Sequence, residues 1–139
     1  MPFNLAILNQ NAADDIINSR NYTHYYISGH SLGGSMASKY VNSTNNTDGL
    51  ILLESYPTDT IQKPVLSIYG SEDKVLNMEK YNESKSLMSY LTEIIIKGGN
   101  HGQVGDYGIQ SGDGKVLITP EQQQKQTSYA ILDFIGISQ

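Results

Sequence analysis

Apolar and polar positions along the chain switch repeatedly between helical and strand spacing. Leu5, Leu8, Ala12 and Ile16 recur at helical intervals and predict a helix with one apolar stripe. Residues 23–28, Thr-His-Tyr-Tyr-Ile-Ser, are β-branched and aromatic and stop at Gly29, which predicts a strand. After Ser31, Leu32, Met36 and Tyr40 suit one face of a helix. Residues 49–53 and 65–69 are short continuous apolar runs, with Pro57 and Pro64 bounding a loop between them. Residues 77–91 fit a helix with Tyr81, Met88 and Leu91 on one side, and Thr92 to Ile96 a β-branched strand closed by Gly98 and Gly99. Thr119-Pro120-Glu121-Gln122 opens a last helix, with Thr as N-cap, Pro at the first helical position and Gln placed to complete a capping box. Thr127, Ile131 and Phe134 continue its buried stripe.

Apolar strands separated by helices imply an α/β fold, a mostly parallel sheet covered on both faces. Ligands of such sheets bind at the carboxyl ends of the strands. The informative residues are therefore those just after each strand: Ser31, then Glu54, then Ser71 to Asp73, then Asn100 and His101. A nucleophile, carboxylates and an imidazole fall on one sheet edge.

Length and composition narrow the classes. The chain of 139 residues is read as one domain, 1–139, long enough for one core. Cysteine is absent, which excludes a disulfide framework, a thiol nucleophile and a thiolate metal site. A formal net charge of -5 argues against nucleic acid as a partner. No apolar run approaches the roughly 18 residues of a membrane-spanning helix. Met1 to Gln10 has neither a basic n-region nor a small-residue cleavage site, so the expected location is cytoplasmic. The Asn-x-Ser/Thr sequons at Asn21, Asn42, Asn45 and Asn82 are read as chance in a chain rich in these residues.

Gly29-His30-Ser31-Leu32-Gly33 matches G-x-S-x-G, which a serine nucleophile needs on a tight strand-to-helix turn. With 13 glycines the match alone is weak, but it follows a predicted strand and opens a predicted helix. The N–H of Leu32 would then be one oxyanion donor at a helix N-terminus. Asp73, beyond a buried strand, is the candidate acid, with Glu54 as its rival and Glu72 facing elsewhere. His101, on a glycine-rich loop, is the candidate base. His24 is expected mid-strand in a structural role, and His30 packed or hydrogen-bonded beside the nucleophile. The three His are too scattered for a metal site, and no cofactor motif is present. Residues 105–114 lack the acidic ladder of a calcium loop and are expected to form a turn-rich loop with a short hairpin.

The stretch Gly29 to Gly34, Asp73, and the segment Gly98-Gly99-Asn100-His101-Gly102-Gln103-Val104-Gly105-Asp106-Tyr107-Gly108 resemble a broad bacterial and fungal branch of the α/β-hydrolase superfamily related to dienelactone hydrolases. Met1 to Ala6, and Gly112-Asp113-Gly114 before a Gln-rich helix start, resemble that branch too. The resemblance implies a serine hydrolase acting on a small carboxylic ester or lactone through Ser31, Asp73 and His101 and an acyl-enzyme, without a cofactor. It also implies a partial α/β-hydrolase fold, because the chain resembles the C-terminal two-thirds of such a domain. The N-terminal strands and the loop carrying the second oxyanion donor would be missing, and one lost donor costs roughly 10²–10³ in rate. The strand at 23–28 would then be an exposed edge, open to a second copy or to an N-terminal partner segment. The rival expectation is a truncated, inactive α/β-hydrolase fragment or an interaction module.

Overall fold

A computed structural model describes residues 12–136, so Leu5 and Leu8 of the first apolar stripe lie outside the described residues. The elements run α1 (Ala12–Ser19), β1 (Tyr26–His30), α2 (Leu32–Ser43), β2 (Gly49–Leu53), β3 (Val65–Gly70), α3 (Met78–Ser84), β4 (Leu91–Ile96) and α4 (Pro120–Phe134). Short 3₁₀ turns follow at Lys85–Leu87 and Gly102–Val104. The four strands form one sheet in the order β1-β2-β3-β4, every pair parallel.

Alternation along the strands divides the core between two faces. Leu50, Leu52 and Val65 pack with Ala37 and Val41 of α2 and with Ile61 and Met88. Ile51, Leu66, Ile68 and Ile96 point the other way, where Ile131 and Phe134 of α4 cover them. The sheet is thus covered on both sides, and β2 and β3 are its buried centre. The expected capping box of α4 is present, with Thr119 Oγ1 accepting from Gln122 N–H and the Gln122 side chain accepting from Thr119 N–H.

Several expectations are corrected. The first strand starts at Tyr26, not Thr23, because its pairing begins where Tyr26 meets Gly49. His24 therefore lies outside it, exposed and 3.4 Å from Asp48. In α1 the stripe is displaced by one residue: Ile17 is buried and Ile16 is exposed. The helix expected over 77–91 ends at Ser84. Backbone bonds from Ile61 to Leu87 and from Ser89 to Ile61 capture the following segment beside the sheet. Tyr81 and Met88 accordingly serve different clusters rather than one side of a helix. Leu32 is exposed, unlike Met36 and Tyr40. Residues 105–114 form turns and irregular loop with no strand, so the short hairpin is absent.

Candidate active site

The turn between β1 and α2 is strained where the motif requires it. Ser31 has φ 53 and ψ −124, a conformation that costs a non-glycine residue about 1–3 kcal/mol. Its backbone is pinned: Ser31 N–H donates to Leu53 O at 3.0 Å, and Ser31 O accepts from Ser55 Oγ at 2.7 Å and from Gly34 N–H at 3.0 Å. A serine in the N-cap position ordinarily caps the helix through its hydroxyl. Here it makes no such bond, so the hydroxyl remains for other chemistry. The two motif glycines play unequal parts. A Cβ on Gly29 would lie 2.3 Å from Gly33 O, whereas one on Gly33 would meet nothing within 4 Å. Gly34 is the second crowded position, 2.5 Å from Ser55 Oγ.

The loops after β3 and β4 carry Asp73 and His101 and are stitched to each other. Glu72 N–H donates to Gly99 O at 2.8 Å and Gly98 N–H to Ser71 Oγ at 2.9 Å. Asp73 Oδ1 accepts from the N–H groups of Val75 and Leu76, both at 2.8 Å. Its Oδ2 lies 2.8 Å from His101 Nδ1, with both residues buried. Burial by itself would raise the Asp73 carboxyl, but hydrogen bonds from His101, Glu54 and Leu76 hold it down at about 2. Ser31, Leu32 and His101 line one cavity of about 270 Å³ together with Tyr56, Val75 and Leu76. The structure therefore brings Ser31, Asp73 and His101 to one sheet edge, as the chain order led one to expect.

Glu54, the rival acid, ends β2 with φ 52 and is buried. It contacts Asp73 rather than holding the imidazole, and its oxygens accept from Gly70 N–H at 3.0 and 3.2 Å. His30 packs beside Ser31, as expected. Its ring stacks on Tyr107 at 5.2 Å and tilts against His101 at 4.6 Å between centroids. Burial and the neighbouring His101 hold its pKa below the usual range. Glu54, Asp73 and His101 bring possible ligand atoms within 4.8 Å of one another. Within this trio Asp73 Oδ2 and His101 Nδ1 lie 2.8 Å apart, the length of a hydrogen bond that one proton satisfies.

Two residues to which the sequence reading gives no role of their own hold the His101 loop. Asp113 accepts from the N–H groups of His101, Gly102 and Gly114. Gln123 of α4, fully buried, accepts from Asn100 N–H and donates to Asn100 O. It also accepts from the Gln103 amide at 3.1 Å. The signal in the sequence was periodicity: Gln123 stands four residues before Thr127 on the buried stripe of α4. Gln123→Leu should leave both backbone groups of Asn100 unpaired and cost about 2–3 kcal/mol, read as a lowered urea midpoint.

A family model described as Alpha/beta hydrolase family matches residues 1–125. No curated protein matches the chain. Among solved structures, a CIB-like hydrolase from Thermoplasma acidophilum is similar at 18% identity with a TM-score of 0.65, over 94% of this chain and 61% of that one. A serine hydrolase involved in carbazole degradation gives 13% identity and a TM-score of 0.68, over 96% of this chain and 72% of that one. A dienelactone hydrolase-like protein from Klebsiella pneumoniae subsp. pneumoniae gives 12% and 0.64, over 91% of this chain and 60% of that one. The chain thus spans between 60% and 72% of the length of these relatives, and at such identities the likeness concerns the fold. With its parallel sheet, its strained strand-to-helix serine and a family match over 125 of 139 residues, the chain belongs to the alpha/beta hydrolase family.

Proposed function

We propose that the chain hydrolyses small carboxylic esters or lactones through Ser31, His101 and Asp73. The observation that carries this is the shared cavity: a serine at φ 53 and an imidazole bonded to a buried carboxylate at 2.8 Å line the same space. In the reaction, His101 Nε2 takes the Ser31 proton as Oγ bonds to the carbonyl carbon. The carbonyl oxygen becomes an oxyanion and receives the Leu32 N–H, at the uncapped N-terminus of α2. His101 then protonates the departing alkoxide, leaving an acyl-Ser31 ester. Water attacks that ester, His101 takes its proton, and the acid leaves as Ser31 Oγ is reprotonated. Asp73 fixes the imidazole tautomer throughout. A cavity of about 270 Å³ suits a short acyl group. The names of the structural relatives, a serine hydrolase and a dienelactone hydrolase-like protein, point the same way.

A fluorophosphonate probe tests the proposal, since it labels a serine only when an assembled site activates it. Labelling of the folded chain that Ser31→Ala and His101→Ala both abolish is the expected result. Folded chain that stays unlabelled would overturn it.

A second reading, that β1 recruits a strand from a second copy or from an N-terminal segment, is supported by the half-exposed burial of that edge strand. Light scattering after size exclusion should then show a mass above 15.3 kDa that falls on placing a proline at the exposed Ser28. A clean monomer at every concentration counts against self-pairing.

A further inference from the structure

The scheme above leaves one buried carboxyl unused. We propose that Glu54 is a positioning residue: it stands as a neutral carboxylic acid, donates its proton as a hydrogen bond to Asp73, and so keeps Asp73 charged and aimed at His101. The catalytic half of this inference rests on the hydrolase reading. The placement of the proton does not.

The two carboxyl groups bring oxygen atoms within 4.8 Å of each other, and Glu54 is 1% exposed and Asp73 5%. Two like charges so close and so dry do not both ionise. The donors around each decide which one keeps the charge. Asp73 receives three: the N–H groups of Val75 and Leu76 on Oδ1 and the His101 ring on Oδ2. Glu54 receives one, a Gly70 N–H shared between its oxygens. The anion settles on Asp73, and the proton on Glu54. A protonated carboxyl has one O–H to give and lone pairs to receive, which matches the partners present.

The placement of Glu54 is enforced by its backbone. Its N–H donates to Ile68 O at 2.8 Å, and φ 52 turns the side chain inward at the end of β2. The titratable groups facing it are Asp73, His101, Asp113 and Tyr69. Asp73 and Asp113 both oppose a charge on it. Burial first, then the hydrogen bond and charge of Asp73, push its carboxyl up to about 10. An unfolded chain releases that proton near the ordinary carboxylate value, about 4.3. Between these limits the folded chain binds a proton that the unfolded chain lacks. The contribution of Glu54 to stability therefore falls as pH rises through the window.

The experiment compares thermal unfolding of the full chain and its Glu54→Gln variant from pH 5 to pH 9. Glutamine keeps an acceptor for Gly70 and a donor for Asp73 but does not titrate. Other ionising groups are common to both proteins and cancel. The expected result is that the wild-type Tm falls by several degrees relative to Glu54→Gln as pH rises. Parallel curves would mean that Glu54 carries no extra proton, and the proposal would be overturned. Kinetics on a short ester form the second measurement. Glu54→Gln should stay within about threefold of wild type in kcat/KM, while Glu54→Leu, with no donor, should lose about 10- to 100-fold. A loss in Glu54→Gln as large as that of Asp73→Asn would make the charge of Glu54 essential and defeat the inference. Diverging Tm curves in a chain that fails to label with fluorophosphonate would support the proton's placement and remove the hydrolase reading alone.

Discussion

Ser31→Ala and His101→Ala should each lower kcat on a short ester by about 10⁴–10⁶-fold, and the double variant should be no worse than either alone. In the proposed mechanism the two act as one unit, since without the base the hydroxyl is not a nucleophile and without the hydroxyl the base has nothing to deprotonate. Asp73→Asn should cost about 10⁴-fold, because an amide in place of Oδ2 presents an N–H to His101 Nδ1 and selects the wrong tautomer. These losses should come without unfolding. Ser31 is held by backbone bonds to Leu53 and Ser55 that an alanine keeps. Ser31→Gly separates function from stability further. It relieves the strain of φ 53 and should raise stability by about 1 kcal/mol while abolishing turnover. Initial rates beside urea midpoints measure both. A Ser31→Ala protein with wild-type esterase activity would remove the nucleophile from Ser31.

The parts of the site that the sequence made legible are those where chain order and chemistry coincide. The strands at 49–53 and 65–70 were readable to within a residue because an apolar run buried on both faces ends abruptly at Gly, Pro or a carboxylate. Once they are placed, parallel pairing sends Ser31, Glu54, Asp73 and His101 to one edge by geometry alone. Where propensity and pairing diverge, pairing decided. Thr23 and His24 suit a strand as well as Tyr26 does, yet the sheet begins at Tyr26, opposite Gly49. Tyr81 and Met88 share a helical spacing, yet Ile61 draws the chain out of the helix after Ser84. The hidden contributors are polar residues whose importance lies in contacts far along the chain. Gln123 reaches Asn100 across 23 positions, and Asp113 reaches His101 across 12. Glu54 was visible as a carboxylate in the right place, but only its burial beside Asp73 and the donors around each carboxyl distinguish a second acid from a proton donor.

The glycines of the motif should separate sharply on substitution. Gly29→Ala should destabilise the chain by about 3 kcal/mol or more, a fall of roughly 10 °C in Tm, and abolish fluorophosphonate labelling. Gly33→Ala should stabilise by about 0.5–1 kcal/mol and keep labelling. Gly29 is not needed for an unusual dihedral, since its φ is not positive. It is needed for room: a Cβ there would lie 2.3 Å from Gly33 O, 2.4 Å from Gly33 C and 2.5 Å from Gly34 N. All three atoms are backbone in the first turn of α2, so relief requires moving the helix that positions Ser31 and the Leu32 N–H. Gly33 faces open space inside a helix, where alanine lowers the entropy of the unfolded chain and adds no clash. Gly34→Ala should fall between them, because its nearest contact, at 2.5 Å, is the Ser55 side chain, with Gly29 O behind it at 2.9 Å. The order Gly29, Gly34, Gly33 is thus a direct measure of how tightly β1 and α2 meet. Melting curves that rank Gly33→Ala as the most damaging would mean that the elbow is built by conformational freedom rather than by close approach.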